Sequence, residues 1–339
     1  METLSIYGAT GLAINMNEKS RVLSGIQPSG KLHLGNYFGM MSRMIEFQEK
    51  NDLFCFIVNY HALTTIQDKN ELKNNTINAA IDFLALGMDP EKSTFWVQSD
   101  VPQVTELTWL LSSMAGVGQM ERSTSYKDKI DKGLSPHMGL FSYPILMAAD
   151  ILLYGSDIVP VGKDQKQHLE ITRDIATRFN NIYGEILVVP EPDINLETML
   201  VPGTDGQKMS KSYGNTIPIF AEENELKKAV MSIVTDSAGI NEPKDKDTPL
   251  YKIYSLFLNH KEKELLSDRY DTPGLKYGDV KKELLEMIYE HINPYREKRK
   301  YYKDNLDDVR QILIKGKEKA SIVANEYIEK IRKAMGIVY

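Results

Sequence analysis

From Arg21 onward, short apolar runs alternate with amphipathic stretches, the pattern of βα units wound around a parallel sheet. Residues 22–26 predict a strand and residues 33–49 a helix. Residues 53–58 predict a second strand, followed by a helix from about Asn70 to Leu86 that stops at Gly87, a residue able to take a left-handed cap. Residues 94–97 predict a third strand and residues 104–115 a helix. Strands this continuously apolar are buried on both faces, which puts helices on both sides of the sheet. Beyond about Asn215 the strand signal ends. Ala320, Val323, Ala324, Tyr327, Ile328, Ile331 and Met335 recur at helical spacing, and residues 280–292 behave likewise, so an all-helical second domain is expected.

At 339 residues the chain is long enough for two domains or for one large unit with an appendage. No apolar run approaches the roughly 18 residues of a membrane span, and no secretory leader is visible at the N-terminus, so the cytoplasm is the expected compartment. The single cysteine, Cys55, lies in an apolar run and excludes disulfides within the chain or a multi-thiolate metal site. The six histidines are scattered and no metal held by the protein is expected. Net charge is −6, unevenly spread: residues 291–339 carry 12 Lys/Arg against 7 Asp/Glu, a balance of +5 that leaves −11 for the rest. A basic tail on an acidic body suits a polyanion such as RNA, and equally a solvated helix face. Residues 1–20 hold a Gly8-Ala9-Thr10-Gly11 turn without the full dinucleotide spacing, and Met16 is a second candidate start; they read as an N-terminal extension.

Chemistry concentrates in two segments. The first strand runs into Gln27-Pro28-Ser29-Gly30-Lys31-Leu32-His33-Leu34-Gly35-Asn36, where glycines permit close backbone approach and a helix start offers N–H groups to an anion. About 175 residues downstream, after Gly203-Thr204-Asp205-Gly206, comes Lys208-Met209-Ser210-Lys211-Ser212. A lysine-rich loop flanked by glycines can close over a triphosphate and neutralise charge on a leaving pyrophosphate.

His33-Leu34-Gly35-Asn36 resembles the HIGH signature of class I aminoacyl-tRNA synthetases, and residues 208–212 match the KMSKS signature letter for letter. Residues 143–152, residues 159–168 and the closing Gly316-Lys317-Glu318-Lys319-Ala320 narrow the resemblance to the tryptophanyl-tRNA synthetases. It covers nearly everything from Val22 to Gly336. The tyrosine enzymes are the nearest relatives. In a helix Met147 and Asp150 share a face; a carboxylate at 150 suits an indole N–H or a phenol, whereas the thioether at 147, where similar tyrosine enzymes carry glutamine, suits the indole.

The resemblance implies a Rossmann-like α/β catalytic domain over residues 21–214 and a helical anticodon-binding domain over residues 215–339. It also implies ATP with Mg²⁺ and L-tryptophan as substrates, tRNA(Trp) as partner, and a homodimer. Leu23, Ile151, Val159 and Val161 would line the indole slot with Met147 and Asp150. His61 would lie near the ring, with Asn59 standing where aspartate is common. Tyr143 and Gln165 would hold the α-ammonium group, and Gln27 the carboxylate and α-phosphate. Pro28, Ser29, Gly30, His33, Gly35 and Asn36 would cradle ATP, Gly162 and Asp164 its ribose. Lys129, Lys208, Met209, Ser210, Lys211 and Ser212 would face the phosphates, with Lys129, Lys208, Lys211 and Gln27 catalytic. His168 and Glu170 suit structural or functional roles equally. Other classes remain open: a synthetase-like RNA-binding regulator has no need of Lys208 and Lys211, and a small-molecule nucleotidyltransferase leaves the second signature and the helical tail without a purpose.

Overall fold

A computed structural model describes residues 19–28, 30–131, 133, 135–162, 165–192 and 201–339. Five strands, β1 (Arg21–Ile26), β2 (Asp52–Ile57), β3 (Ser93–Val97), β4 (Ile158–Val159) and β5 (Glu191–Pro192), form one parallel sheet in the order β3-β2-β1-β4-β5. The expected Rossmann-like architecture is present. β1 and β2 run in register from Arg21 opposite Asp52 to Ile26 opposite Ile57. Because side chains alternate along a strand, Leu53, Cys55 and Ile57 enter one core while Phe54 and Phe56 enter the other.

The first core lies under the helices Ser42–Lys50, Lys69–Leu86 and Tyr277–Asp304; the second lies under Gln103–Ser112, Tyr143–Leu152 and Lys166–Tyr183. The helix ending at Leu86 is closed by Gly87 at φ 117°, as its sequence predicts. Boundaries moved elsewhere. β3 begins one residue earlier than its apolar run, and the helix expected over 104–115 spans Gln103–Ser112, since neither Ser113 nor Ala115 carries a terminating signal that periodicity could register. The helix expected over 33–49 is interrupted by a π-helical turn at Tyr37–Met41 between Leu34–Asn36 and Ser42–Lys50. The widened turn coincides with Tyr37 and Phe38 both reaching an aromatic cluster of Phe257, His291 and Tyr295. β4 and β5, two residues each, are too short for any periodicity to show.

No strand follows β5 among the described residues. The last helix, Leu306–Ala334, runs past the edge strand β3 and joins both cores: Val309 and Leu313 enter the first, Ala320, Ala324, Ile328 and Ile331 the second. At the crossing a Cβ on Gly316 would sit 1.8 Å from the Phe95 carbonyl oxygen, so only glycine lets the helix cover the edge this closely.

Candidate active site

The strand order reverses between β1 and β4, and in open parallel sheets ligands bind beyond the carboxyl ends of the strands at such a point. A cavity of about 570 Å³ opens there. Its wall carries Gln27 from the end of β1, Gly35 and Asn36 from the following helix, Val161 and Gly162 from the end of β4, and Lys208 and Met209. Leu23, His61, Tyr143, Met147, Asp150, Ile151, Val159 and Gln165, all expected at the site, line the same wall. Pro28, Gly30, His33, Ser210, Lys211 and Ser212 are not on the wall but belong to the two signature segments that supply it. Ser29 and Asp164 lie outside the described residues, as does the side chain of Lys129.

Hydrogen bonds tie the two signatures together. The Leu34 N–H donates to the Ile217 carbonyl at 3.0 Å and the Ile219 N–H to the Leu32 carbonyl at 3.0 Å, stitching the chain after the second signature to the start of the first. Met209 is buried, and its sulfur lies 3.2 Å from the Gly35 amide nitrogen. A Cβ on Gly35 would come within 3.2 Å of the Met209 Cβ, so the absence of a side chain lets the segments close on each other. A Cβ on Gly30 would lie 3.9 Å from Lys211 Nζ. The second loop is shaped by Asn215, which accepts from the Ser210 N–H at 2.8 Å and donates to Asp205 Oδ1 at 2.7 Å and to the Lys208 carbonyl at 3.2 Å. Two cations are thereby presented on a loop clipped at its base.

Electrostatics follows from burial. His33 is 7% exposed, and its imidazole is held down at about 4, first by desolvation and then by the Lys211 ammonium. It is neutral at pH 7, and its buried Nδ1 has no hydrogen-bond partner among the described residues. The Lys211 ammonium is itself lowered by partial desolvation, with the Asp82 carboxylate opposing. The unfolded chain protonates histidine near 6.5, well before the folded one does, so the contribution of His33 to stability is complete above that value and declines as pH falls from 6.5 to about 4. Over that window the wild type is expected to lose about 1–3 kcal/mol more than His33→Asn in urea unfolding curves; parallel losses would contradict a neutral buried imidazole.

At the apolar end, Asp150 is 3% exposed and flanked by Met147 and Ile151. Its Oδ2 lies 2.7 Å from His61 Nε2, and Gln98 Nε2 donates to both carboxylate oxygens at 2.9 and 2.8 Å. The Tyr143 ring packs edge-on against His61, with centroids 4.4 Å apart. Gln165 Oε1 is 2.9 Å from His168 Nδ1, so the oxygen accepts from the imidazole. Gln98 and His168 were not assigned roles from the sequence. The available signal was position: Gln98 follows β3 directly, where functional side chains of parallel sheets gather, and His168 falls three residues after Gln165 on a helix. Asn59, whose role the sequence left open, exchanges two hydrogen bonds with Ser99: Nδ2 donates to Oγ at 2.8 Å and the Ser99 N–H donates to Oδ1 at 3.1 Å.

Among the described residues no cluster of His, Cys, Asp and Glu could hold a metal ion, and no helix is long and apolar enough to cross a membrane.

The arrangement has counterparts among known proteins. The profile of the family described as tRNA synthetases class I (W and Y) matches residues 15–293. A Tryptophan–tRNA ligase of Fusobacterium nucleatum is 53% identical over 94% of this chain and 98% of its own. The crystal structure of tryptophanyl-tRNA synthetase from Campylobacter jejuni complexed with ADP and tryptophan superposes with a TM-score of 0.87 at 51% identity, covering 93% of this chain and 99% of that one. Its counterpart from Mycoplasma pneumoniae gives 0.80 at 30% identity over 94% and 98%.

Proposed function

Since the chain belongs to the class I tRNA synthetases of the W and Y group, we propose that it activates L-tryptophan with ATP and transfers the tryptophanyl group to the terminal ribose of tRNA(Trp). The observation that carries this reading is the junction of the two signature segments on one cavity whose apolar end holds a buried carboxylate beside a thioether.

In the first step the carboxylate of tryptophan attacks the α-phosphorus of ATP and pyrophosphate leaves; in the second a ribose hydroxyl of tRNA takes the acyl group. The attacking carboxylate is already ionised, so the first step needs no general base, and catalysis rests on positioning and charge neutralisation. Asp150 accepts the indole N–H, while Leu23, Met147, Ile151, Val159 and Val161 pack on the ring with His61 beside it. Tyr143 and Gln165 hold the α-ammonium group, both lining the cavity, with the Gln165 side chain oriented by His168. Gln27 meets the carboxylate and α-phosphate. Pro28, Ser29, Gly30, His33, Gly35 and Asn36 cradle ATP, with Gly162 and Asp164 at the ribose and Met209, Ser210 and Ser212 over the phosphates. Lys129, Lys208, Lys211 and a Mg²⁺ carried in by ATP balance the negative charge on the departing pyrophosphate.

The helical part beyond residue 214 takes the anticodon stem, its basic end facing the polyanion, and the enzyme works in the cytoplasm, where its tRNA is charged. It acts as a homodimer. Trp109, 78% exposed on the helix Gln103–Ser112, and Val117, 64% exposed on the next, supply apolar surface for a second copy. Trp109→Asp is expected to halve the mass measured by sedimentation; a variant that sediments as the wild type does would place the subunit contact elsewhere.

The whole assignment is tested by ATP–pyrophosphate exchange with each of the twenty amino acids in turn. Tryptophan alone is expected to support rapid exchange. Equal exchange with tyrosine, or none with tryptophan, would refute it.

A further inference from the structure

Gln98 is 1% exposed and makes three contacts that leave its amide no freedom. Its Oε1 accepts the Tyr60 backbone N–H at 2.9 Å, which fixes which end of the amide faces which way. Its Nε2 is then committed to Asp150, at 2.9 Å from Oδ1 and 2.8 Å from Oδ2. The reciprocal Asn59–Ser99 pair locks the segment after β2 to the segment after β3, so the donors on the two segments keep their spacing. A carboxylate offers about four acceptor directions. Among the described residues both oxygens of Asp150 take Gln98, and Oδ2 also takes His61, which leaves a lone pair on Oδ1. Asp150 lines the cavity whereas Gln98 does not, so the amide acts on the carboxylate from behind.

We propose that Gln98 is a positioning residue for amino-acid specificity: by holding both oxygens of Asp150 it turns the remaining Oδ1 lone pair into the cavity and makes a ring N–H the group the site selects. The inference rests on the reading that the tryptophan ring sits against Met147 and Asp150. Without the amide, a carboxylate this buried loses the donor that orients it, and it turns or admits water to replace the lost hydrogen bonds. A ring without an N–H gains nothing from Asp150 in either case, so its use is insensitive to Gln98. That difference separates positioning from mere structural support.

The test is pyrophosphate exchange by the full chain with tryptophan and with its benzothiophene isostere, in which sulfur replaces the ring N–H. Gln98→Leu is expected to lower kcat/KM for tryptophan by at least about tenfold, chiefly through KM, while the isostere changes by less than about threefold, so the preference for tryptophan narrows. Gln98→Glu supplies a second, isosteric reading. The titratable groups facing position 98 are Asp150 and His61, with Tyr154 beyond Asp150. Near pH 7.5 the introduced carboxylate repels Asp150 and the tryptophan KM rises; towards pH 5.5 its protonated form donates as the amide did and the KM recovers relative to the wild type, which carries the same His61. Should Gln98→Leu fail to fold, this pH profile decides alone. Equal losses for both amino acids, or a preference unchanged in both variants, overturn the proposal. A wild type that cannot use tryptophan at all would instead overturn the substrate reading, and the same assay reports it separately.

Discussion

Lys211→Ala is expected to slow tryptophan-dependent pyrophosphate exchange by about 10²- to 10³-fold, the effect typical of losing one group that stabilises developing charge in a water-poor site, about 3–4 kcal/mol. The loss should fall on kcat, with tryptophan affinity nearly unchanged, because Lys211 sits where the two signature segments meet and not at the apolar end of the cavity. Its ammonium is partly desolvated and lies beside Gly30, and its charge depresses the His33 imidazole, which places it against the first signature before any nucleotide arrives. Lys211→Arg, which keeps the charge on a longer fork, should recover part of the rate. Exchange at the wild-type rate in Lys211→Ala would remove this residue from the chemistry.

Asp150→Asn is expected to have the opposite kinetic signature. Both oxygens of Asp150 accept hydrogen bonds in the structure, from Gln98 Nε2 and His61 Nε2. An amide at this position must point its NH₂ at one of those donors, so a nearly isosteric change sets donor against donor inside the protein. Disrupting a buried charged network in this way costs about 3–4 kcal/mol, the lower part of the usual range, which predicts a fall in kcat/KM for tryptophan of roughly 10²- to 10³-fold, carried mainly by KM. The benzothiophene isostere should lose far less. Exchange at saturating amino acid should approach that of the wild type, because the signature end of the cavity is untouched. A loss confined to kcat, with tryptophan KM unchanged, would contradict the role of Asp150 in recognising the ring.

Much of this site was legible in the sequence because the resemblance to known signatures is carried by residues close together in the chain. The segments at 33–36 and 208–212 each declare themselves within a few residues, and Met147 and Asp150 do so within one helical turn. The parallel sheet was legible because strands buried on both faces leave continuous apolar runs, as in Leu53–Val58. What remained hidden depends on contacts between distant segments. Gln98 is 52 residues from Asp150, and nothing near it in the chain marks it as the carboxylate's partner. The π-helical turn at Tyr37–Met41 answers to aromatic rings more than 200 residues away, so no local periodicity could announce it. Gly316 is similar. In the sequence it is a glycine inside a long helical pattern, a position that costs stability on propensity alone, and only the Phe95 carbonyl lying against it explains the choice. His33 looked like a ligand-binding histidine by resemblance; its depressed pKa and its contact with the second signature required the fold.

Residues 33–36 and 208–212 are expected to bracket the phosphates of one nucleotide while the indole lies against Asp150 in the same cavity. A crystal structure with a non-hydrolysable tryptophanyl-adenylate analogue tests it most directly. The ring nitrogen is expected within about 3 Å of Asp150 Oδ1, the adenylate between Asn36 and Met209, and Lys208 and Lys211 on the side from which pyrophosphate departs. An analogue bound away from this cavity, or seated with its indole nitrogen turned from Asp150, would contradict it.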